Sequence, residues 1–407
     1  MTTSKNAEEK VGTKMSEIEQ IEYTPAALAF PVEQGLVRAC RDTFGPTLRA
    51  VVLTGSLARN EASYTLREGR TVLQSDVEAM IVLHDGAALP SRHSSRALCQ
   101  LAQSYLADRG VSVEVSVSVV HSTYLLELPP HIYSYELRSC GVVLYGEQTI
   151  LSLIPDYSAA ELSREDAWRL LNNRLIEQMD SNGASTADAA RYRSVKLCLD
   201  LASSLLVFFG RFEAGYRPRL RCMEEVALTP EAQQLPIPIV EFMSLVQLCT
   251  SVKLDTETVV DLGDGFEERI TGWAWKIWLW ELRRMTGSGD SADAEQMVRD
   301  FGRSQGKKKL LRGWLYAVRR TGWLGSSRYW PKWLPLFVAG LTPRHAIYLA
   351  AYRWHEACCG KAISDLPSNL KSVSDLLPVK GTAQPVDCSI AEQLVWNYKE
   401  FTVETRA

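Results

Sequence analysis

The chain has 407 residues, 46% hydrophobic and 23% charged, which supplies apolar material for the cores of two or three globular domains. Its net charge of -3 and pI near 6.2 exclude the overall basic excess of a dedicated nucleic-acid binder and leave room only for a local basic patch. Nine cysteines (Cys40, Cys99, Cys140, Cys198, Cys222, Cys249, Cys358, Cys359 and Cys388) are scattered without a CxxC pair, which argues against a disulfide framework or a zinc site and for buried thiols in a reducing compartment. The polar first twenty residues lack the apolar core of a signal peptide, and runs such as Leu205–Phe209 are too short to span a bilayer, so a cytoplasmic chain without a transmembrane segment is expected.

In chain order, residues 1–22 read as a flexible tail. Val32–Thr43 has apolar residues at helical spacing and stops at Gly45-Pro46. Leu48–Thr54 is a β-rich run, expected as a buried strand that leads into Gly55-Ser56. Ser63–Arg67 and Thr71–Gln74 flank Glu68-Gly69-Arg70, the pattern of a hairpin. Asp76–Leu83 follows as a strand, and Ser95–Arg109 as a helix closed by Gly110. Val111–Val120 alternates valine with Ser112, Glu114, Ser116 and Ser118, which predicts one strand with an apolar and a polar face. Val142–Tyr145 is a further short strand. Beyond about residue 155 the periodicity becomes helical, in Arg164–Met179, Ala189–Phe209, Pro238–Cys249, Thr271–Met285 and Arg344–Cys358. The expected organisation is a tail at 1–22, an α/β domain at 23–150, a helical domain at 151–286 and, after the linker Gly287–Ser291, a helical Trp-rich region at 287–407.

The chemistry concentrates in Gly55-Ser56, Asp76-Val77-Glu78 and Glu114. Asp76 and Glu78 are two apart on a strand, so both leave the same face. Two carboxylates there repel each other unless a cation lies between them. Hard divalent ions such as Mg²⁺, or Mn²⁺, prefer oxygen ligands and keep phosphate as a co-ligand. Glu114, on the polar face of the next long strand, could complete a two-metal clamp with ions roughly 3.5–4 Å apart. Gly55 lets phosphate approach the backbone, and Ser56 offers a hydroxyl and an N–H. A helix starting near Leu57 would add free N–H groups. Such a site supports attack of an acceptor hydroxyl on the α-phosphate of an NTP with loss of pyrophosphate.

The run Gly55-Ser56-Leu57-Ala58-Arg59-Asn60-Glu61, followed by Ser75-Asp76-Val77-Glu78, resembles the GSxAR…SDxD/E signature of the DNA polymerase β-like nucleotidyltransferases. It is most similar to the bacterial branch that holds the aminoglycoside and minimal nucleotidyltransferases. The resemblance covers about residues 33–150, and Gly141–Gly146 resembles the strand that closes such domains. It implies an α/β nucleotidyltransferase domain, a small mixed sheet flanked by helices, followed by a mainly α-helical C-terminal region. It also implies Asp76, Glu78 and Glu114 as metal-binding catalytic residues, with Gly55, Ser56 and Arg59 toward the nucleotide. A weaker likeness at Arg193–Asp200 and Tyr216-Arg217 makes Lys196 the candidate for a triphosphate-binding lysine. Nineteen residues separate Ser56 from Asp76, a longer span than the family's, and the hairpin absorbs the excess. The second carboxylate is Glu78 where the family more often has Asp.

The six histidines (84, 93, 121, 131, 345 and 355) show no ligand spacing and are expected to be structural or exposed. Ten of the 11 tryptophans fall at or beyond Trp273, and Lys307–Lys309 opens a stretch where basic residues alternate with aromatics as far as Trp333. That stretch is expected as helical core with Trp inside and Lys/Arg outside. It could instead bind single-stranded nucleic acid, an anionic membrane or a polyanionic substrate. The leading expectation is transfer of an NMP, AMP from ATP being preferred for the donor's abundance, to a hydroxyl of a small-molecule or sugar-containing acceptor. The alternatives are a nucleotide, polynucleotide or protein acceptor, and an inactive binding or scaffold protein on the same fold.

Overall fold

Leu48–Thr54 is a nearly unbroken apolar run because the strand it forms is covered on both faces. The structure, a computed structural model, describes residues 25–67, 70–73, 75–180, 187–255, 260–358, 366–379 and 389–402. The expected tail at 1–22, the turn residues Glu68 and Gly69, Gln74, Cys359 and Cys388 lie outside them.

Helix α1 (Pro25–Phe44) begins seven residues before the expected Val32 and carries Pro31 inside it. It leads to β1 (Leu48–Thr54) and to the single helical turn α2 (Gly55–Ala58). The expected hairpin is present as β2 (Tyr64–Arg67) paired antiparallel with β3 (Arg70–Leu73). Then come β4 (Val77–Leu83) and α3 (Arg92–Ala107), whose first turn is capped by the Ser91 hydroxyl accepting from Ser94 N. The expected single strand over 111–120 is two strands, β5 (Val111–Ser112) and β6 (Val115–His121). They belong to different sheets, and Val113-Glu114 is the step between them. Two short helices, α4 (Ser122–Leu126) and α5 (Ile132–Cys140), precede β7 (Val142–Gly146).

The main sheet has the order β6-β4-β1-β7, with β1 antiparallel to both neighbours and β4 parallel to β6. A smaller sheet runs β2-β3-β5. Alternation along the central strands sends Val51, Leu53, Ile81 and Leu83 to one side, against Leu36, Leu98 and Ala102 of α1 and α3. Ala50, Val52, Met80 and Val82 go to the other, against Leu125, Leu137 and Ile150. This is a small mixed sheet with helices on both faces.

The remainder is helical: α6 (Arg164–Gln178), α7 (Ala187–Phe208), α8 (Tyr216–Ala227), α9 (Ile239–Leu254), α10 (Phe266–Thr286), α11 (Ala294–Ser304), α12 (Lys307–Thr321), α13 (Trp323–Val338), α14 (Pro343–Cys358), α15 (Leu366–Leu376) and α16 (Ile390–Phe401). Their buried side chains, from Leu162 to Phe401, form one continuous core. The two expected helical segments therefore share an interior. Gly287, at φ 68°, closes α10 in the left-handed conformation that glycine tolerates. Trp168, Trp278, Trp275 and Tyr352 stack and edge through this core, with Trp278–Tyr352 centroids 4.9 Å apart. Trp278 Nε1 donates to the buried Asn172 side chain at 2.7 Å, which satisfies both polar groups. Among the described residues no helix is long and apolar enough to cross a membrane.

Candidate active site

Strand β1 ends at Thr54, directly opposite Glu78 of β4. The chain then turns sharply at Gly55, whose φ of +71° is strained for any residue with a Cβ. A Cβ there would also collide with the Glu78 carboxylate, so the glycine lets that side chain lie across the turn. The turn is held by Glu61 N donating to Ser56 O at 2.8 Å. Ser56 is partly accessible, and Asp76 and Glu78 are both exposed. Gly55 and Glu78 thus meet where β1 ends and β4 begins, with Ser56 and Asp76 next to them along the chain.

Glu114 reaches the start of β4 through its backbone. Its backbone is adjacent, with Val77 N donating to Glu114 O at 2.9 Å. The residue itself lines a shallow cleft of about 450 Å³ with Gln103 and Ala107 of α3. Burial raises the Cys99 thiol of α3, and the charge of Glu114 adds to that rise. Among the described residues no group of three or more His, Cys, Asp or Glu side chains could hold a metal ion as they stand.

Arg59 does not face open solvent. Its guanidinium pairs with Glu61 and Glu136, each at 3.1 Å, and is largely buried. Arg219 of α8 pairs with the other oxygen of Glu136. The second oxygen of Glu61 accepts from Tyr216 N at 2.6 Å, at the start of α8, where a carboxylate is favoured. Glu61 and Glu136, both held by Arg59, therefore tie the α/β part to α8 of the helical part. Lys196, on α7, is half-buried with Nζ 5.0 Å from the Tyr192 ring centroid, and among the described residues it makes no ion pair. Asp200, one turn on, bonds instead to Arg174 at 2.6 Å.

Sequence reasoning missed Lys253, the last cation of α9. It is buried, and its ammonium donates to Ser63 at 2.9 Å and to Ser75 and Tyr192 at 3.1 Å. Ser63 N donates to Ser75 Oγ at 3.1 Å, and Ser63 Oγ donates to Lys253 O at 3.0 Å. These contacts clamp both ends of the β2–β3 hairpin one residue before Asp76. Burial, reinforced by Arg59, lowers Lys253 to about 8, against the opposing pull of Glu61 and Asp200. Tyr133 of α5 was also missed; burial, then Tyr124 and Glu78, push its phenol well above the usual range. Of the histidines, His345 is buried against Trp168 and Phe301, and His355 stacks on Trp275.

A cavity of about 820 Å³ lies elsewhere, among Tyr329, Lys332, Leu336 and Leu376 of the C-terminal helices. It includes no residue of the α/β part, so size does not make it the centre of the chemistry.

The chain matches no protein-family model, and no curated protein is significantly similar to it.

Proposed function

We propose that the chain is a nucleotidyltransferase of the DNA polymerase β type, which moves an NMP to a hydroxyl of a small-molecule or sugar-containing acceptor. AMP from ATP is the preferred case. The observation that carries this reading is the junction of β1 and β4. There a glycine that cannot be replaced without collision lies under Glu78, with Ser56 and Asp76 beside it.

The donor set fits a hard divalent cation, Mg²⁺ or Mn²⁺, because it consists of carboxylate oxygens on one exposed strand end. Asp76 and Glu78 would hold that ion, and Glu114 is the nearest further carboxylate in backbone register. A bound divalent ion supplies positive charge to the phosphates. The Gly55 turn admits phosphate close to the backbone, and Ser56 offers it a hydroxyl and an N–H. In the transfer, the acceptor oxygen forms a bond to the α-phosphorus. The bond from that phosphorus to the bridging oxygen breaks, and pyrophosphate leaves. Lys196 is the cation left for the triphosphate, since Arg59 is matched by Glu61 and Glu136. Lys253 acts through Ser63 and Ser75 as a positioning residue for Asp76.

A second reading, an inactive binding protein on the same fold, has one observation in its favour: the three carboxylates do not form a ready metal group. Incubation with α-labelled ATP, GTP, CTP and UTP, Mg²⁺ or Mn²⁺ and a pool of cell-extract acceptors separates the two. Transfer of label by the wild type and not by Asp76→Ala supports the enzyme. Equal labelling by both proteins removes the proposed site.

A further inference from the structure

Between Asp300 and Glu356 the chain has eleven Lys or Arg and no Asp or Glu, in a protein whose net charge is -3. Most of this stretch is α12 and α13, two helices joined by Gly322. Their inner sides are anchored. Trp314 and Trp333 are buried with ring centroids 5.3 Å apart, and Trp314 Nε1 donates to Leu341 O at 2.9 Å. Two further cations of α12 are neutralised, Lys309 by Glu165 and Arg320 by Glu400, both at 2.6 Å.

The outer sides are different. On α12, Lys308, Leu311, Arg312, Leu315 and Arg319 follow the spacing of one helix face and are all exposed. On α13, Trp323, Trp330, Leu334 and Val338 do the same, with Trp323 79% and Val338 73% exposed. Among the described residues Lys307, Lys308, Arg312, Arg319 and Arg328 make no ion pair. Exposed aliphatic and indole side chains grouped in this way mark an interaction surface.

We propose that the outer face of α12 and α13 docks on an anionic phospholipid bilayer. The cations meet lipid phosphates, Trp323 and Trp330 sit at the head-group level, and Leu311, Leu315, Leu334 and Val338 enter the acyl boundary. A single-stranded nucleic acid would satisfy the cations and could stack on Trp323, Trp330 or Phe337, but would leave Leu311, Leu315, Leu334 and Val338 in water. Most of the exposed apolar side chains here are aliphatic, which favours lipid. The proposal is independent of the nucleotidyl-transfer reading.

The test is co-sedimentation of the full chain with vesicles of phosphatidylcholine alone or mixed with phosphatidylglycerol, at low and high salt. The wild type is expected on the anionic vesicles, with a blue shift of tryptophan emission that Trp323→Phe/Trp330→Phe removes. Lys308→Glu/Arg312→Glu/Arg319→Glu should weaken binding at least about tenfold, since each basic residue contributes near the surface. Leu334→Ser/Val338→Ser should weaken it at high salt, where charge is screened. Circular dichroism is the check that each variant is folded. The proposal is overturned if the folded wild type ignores anionic vesicles at low salt. It is equally overturned if the Leu334/Val338 variant binds them unchanged, or if a single-stranded oligonucleotide is bound while vesicles are not.

Discussion

Gly55 has no side chain, and its position leaves no room for one. Gly55→Ala would force a left-handed φ on alanine, at about 1–2 kcal/mol, and would drive Glu78 from its place over the turn. We predict a modest fall in stability and a much larger fall in nucleotide affinity, read by urea titration and calorimetry; wild-type affinity would show that the turn is not the nucleotide site. Lys253 gives a pH-dependent prediction. Its folded pKa, about 8, is below the ordinary 10.5, so between those values the unfolded chain binds more protons and stability rises with pH. The gain is complete near pH 10.5 and absent below about 8. In Lys253→Met this slope should flatten, which urea titrations of both proteins across pH 7.5–10 would reveal; parallel profiles would contradict the assignment. Lys253 was not legible in the sequence because its partners Ser63 and Ser75 are 190 and 178 residues away. The one local signal is a lysine, the only cation of α9, near the end of a largely apolar helix.

At the scale of elements, hydrophobic periodicity located β1, β4, α3 and the long helices because each buries a face that local spacing defines. The hairpin was legible from its Gly-containing turn, and its strands absorb the long span between Ser56 and Asp76. The break between β5 and β6 was not. Valines stay inward and Ser112, Glu114, Ser116 and Ser118 stay exposed on both sides of it, so alternation continues through a change of sheet. Glu114 still adjoins the start of β4 across that change, with Val77 N donating to Glu114 O at 2.9 Å. Helix α10 shows the reverse case, where composition was informative. Trp273, Trp275 and Trp278 are buried, as a helical core requires. Trp278→Ala should cost about 3–5 kcal/mol, because it opens a cavity beside Trp168 and leaves Asn172 Oδ1 without its donor. A shift under 1 kcal/mol in the urea midpoint analysis would mean that this aromatic stack is not part of the stabilising core.

Across the whole molecule, the two faces of the sheet and the helical part form three clusters of buried residues. Polar bonds cross between the α/β part and the helical part near the candidate site: Arg219 on Glu136, Tyr216 on Glu61, and Lys253 on Ser63 and Ser75. The helical part thus fixes the approach to Asp76, while the sheet supplies Gly55, Ser56 and Glu78. The sequence made the motif legible because the motif is local; it left the supporting network hidden because that network is assembled from distant segments. The claim that rests on the whole arrangement is that this junction binds a nucleoside triphosphate with a divalent cation. Isothermal calorimetry with a non-hydrolysable ATP analogue and Mg²⁺ tests it without knowledge of the acceptor. The wild type should bind only when the cation is present, and Asp76→Asn/Glu78→Gln, which keeps shape and removes charge, should lose that binding. Equal, cation-independent binding by both proteins, or none by the folded wild type, would contradict the account.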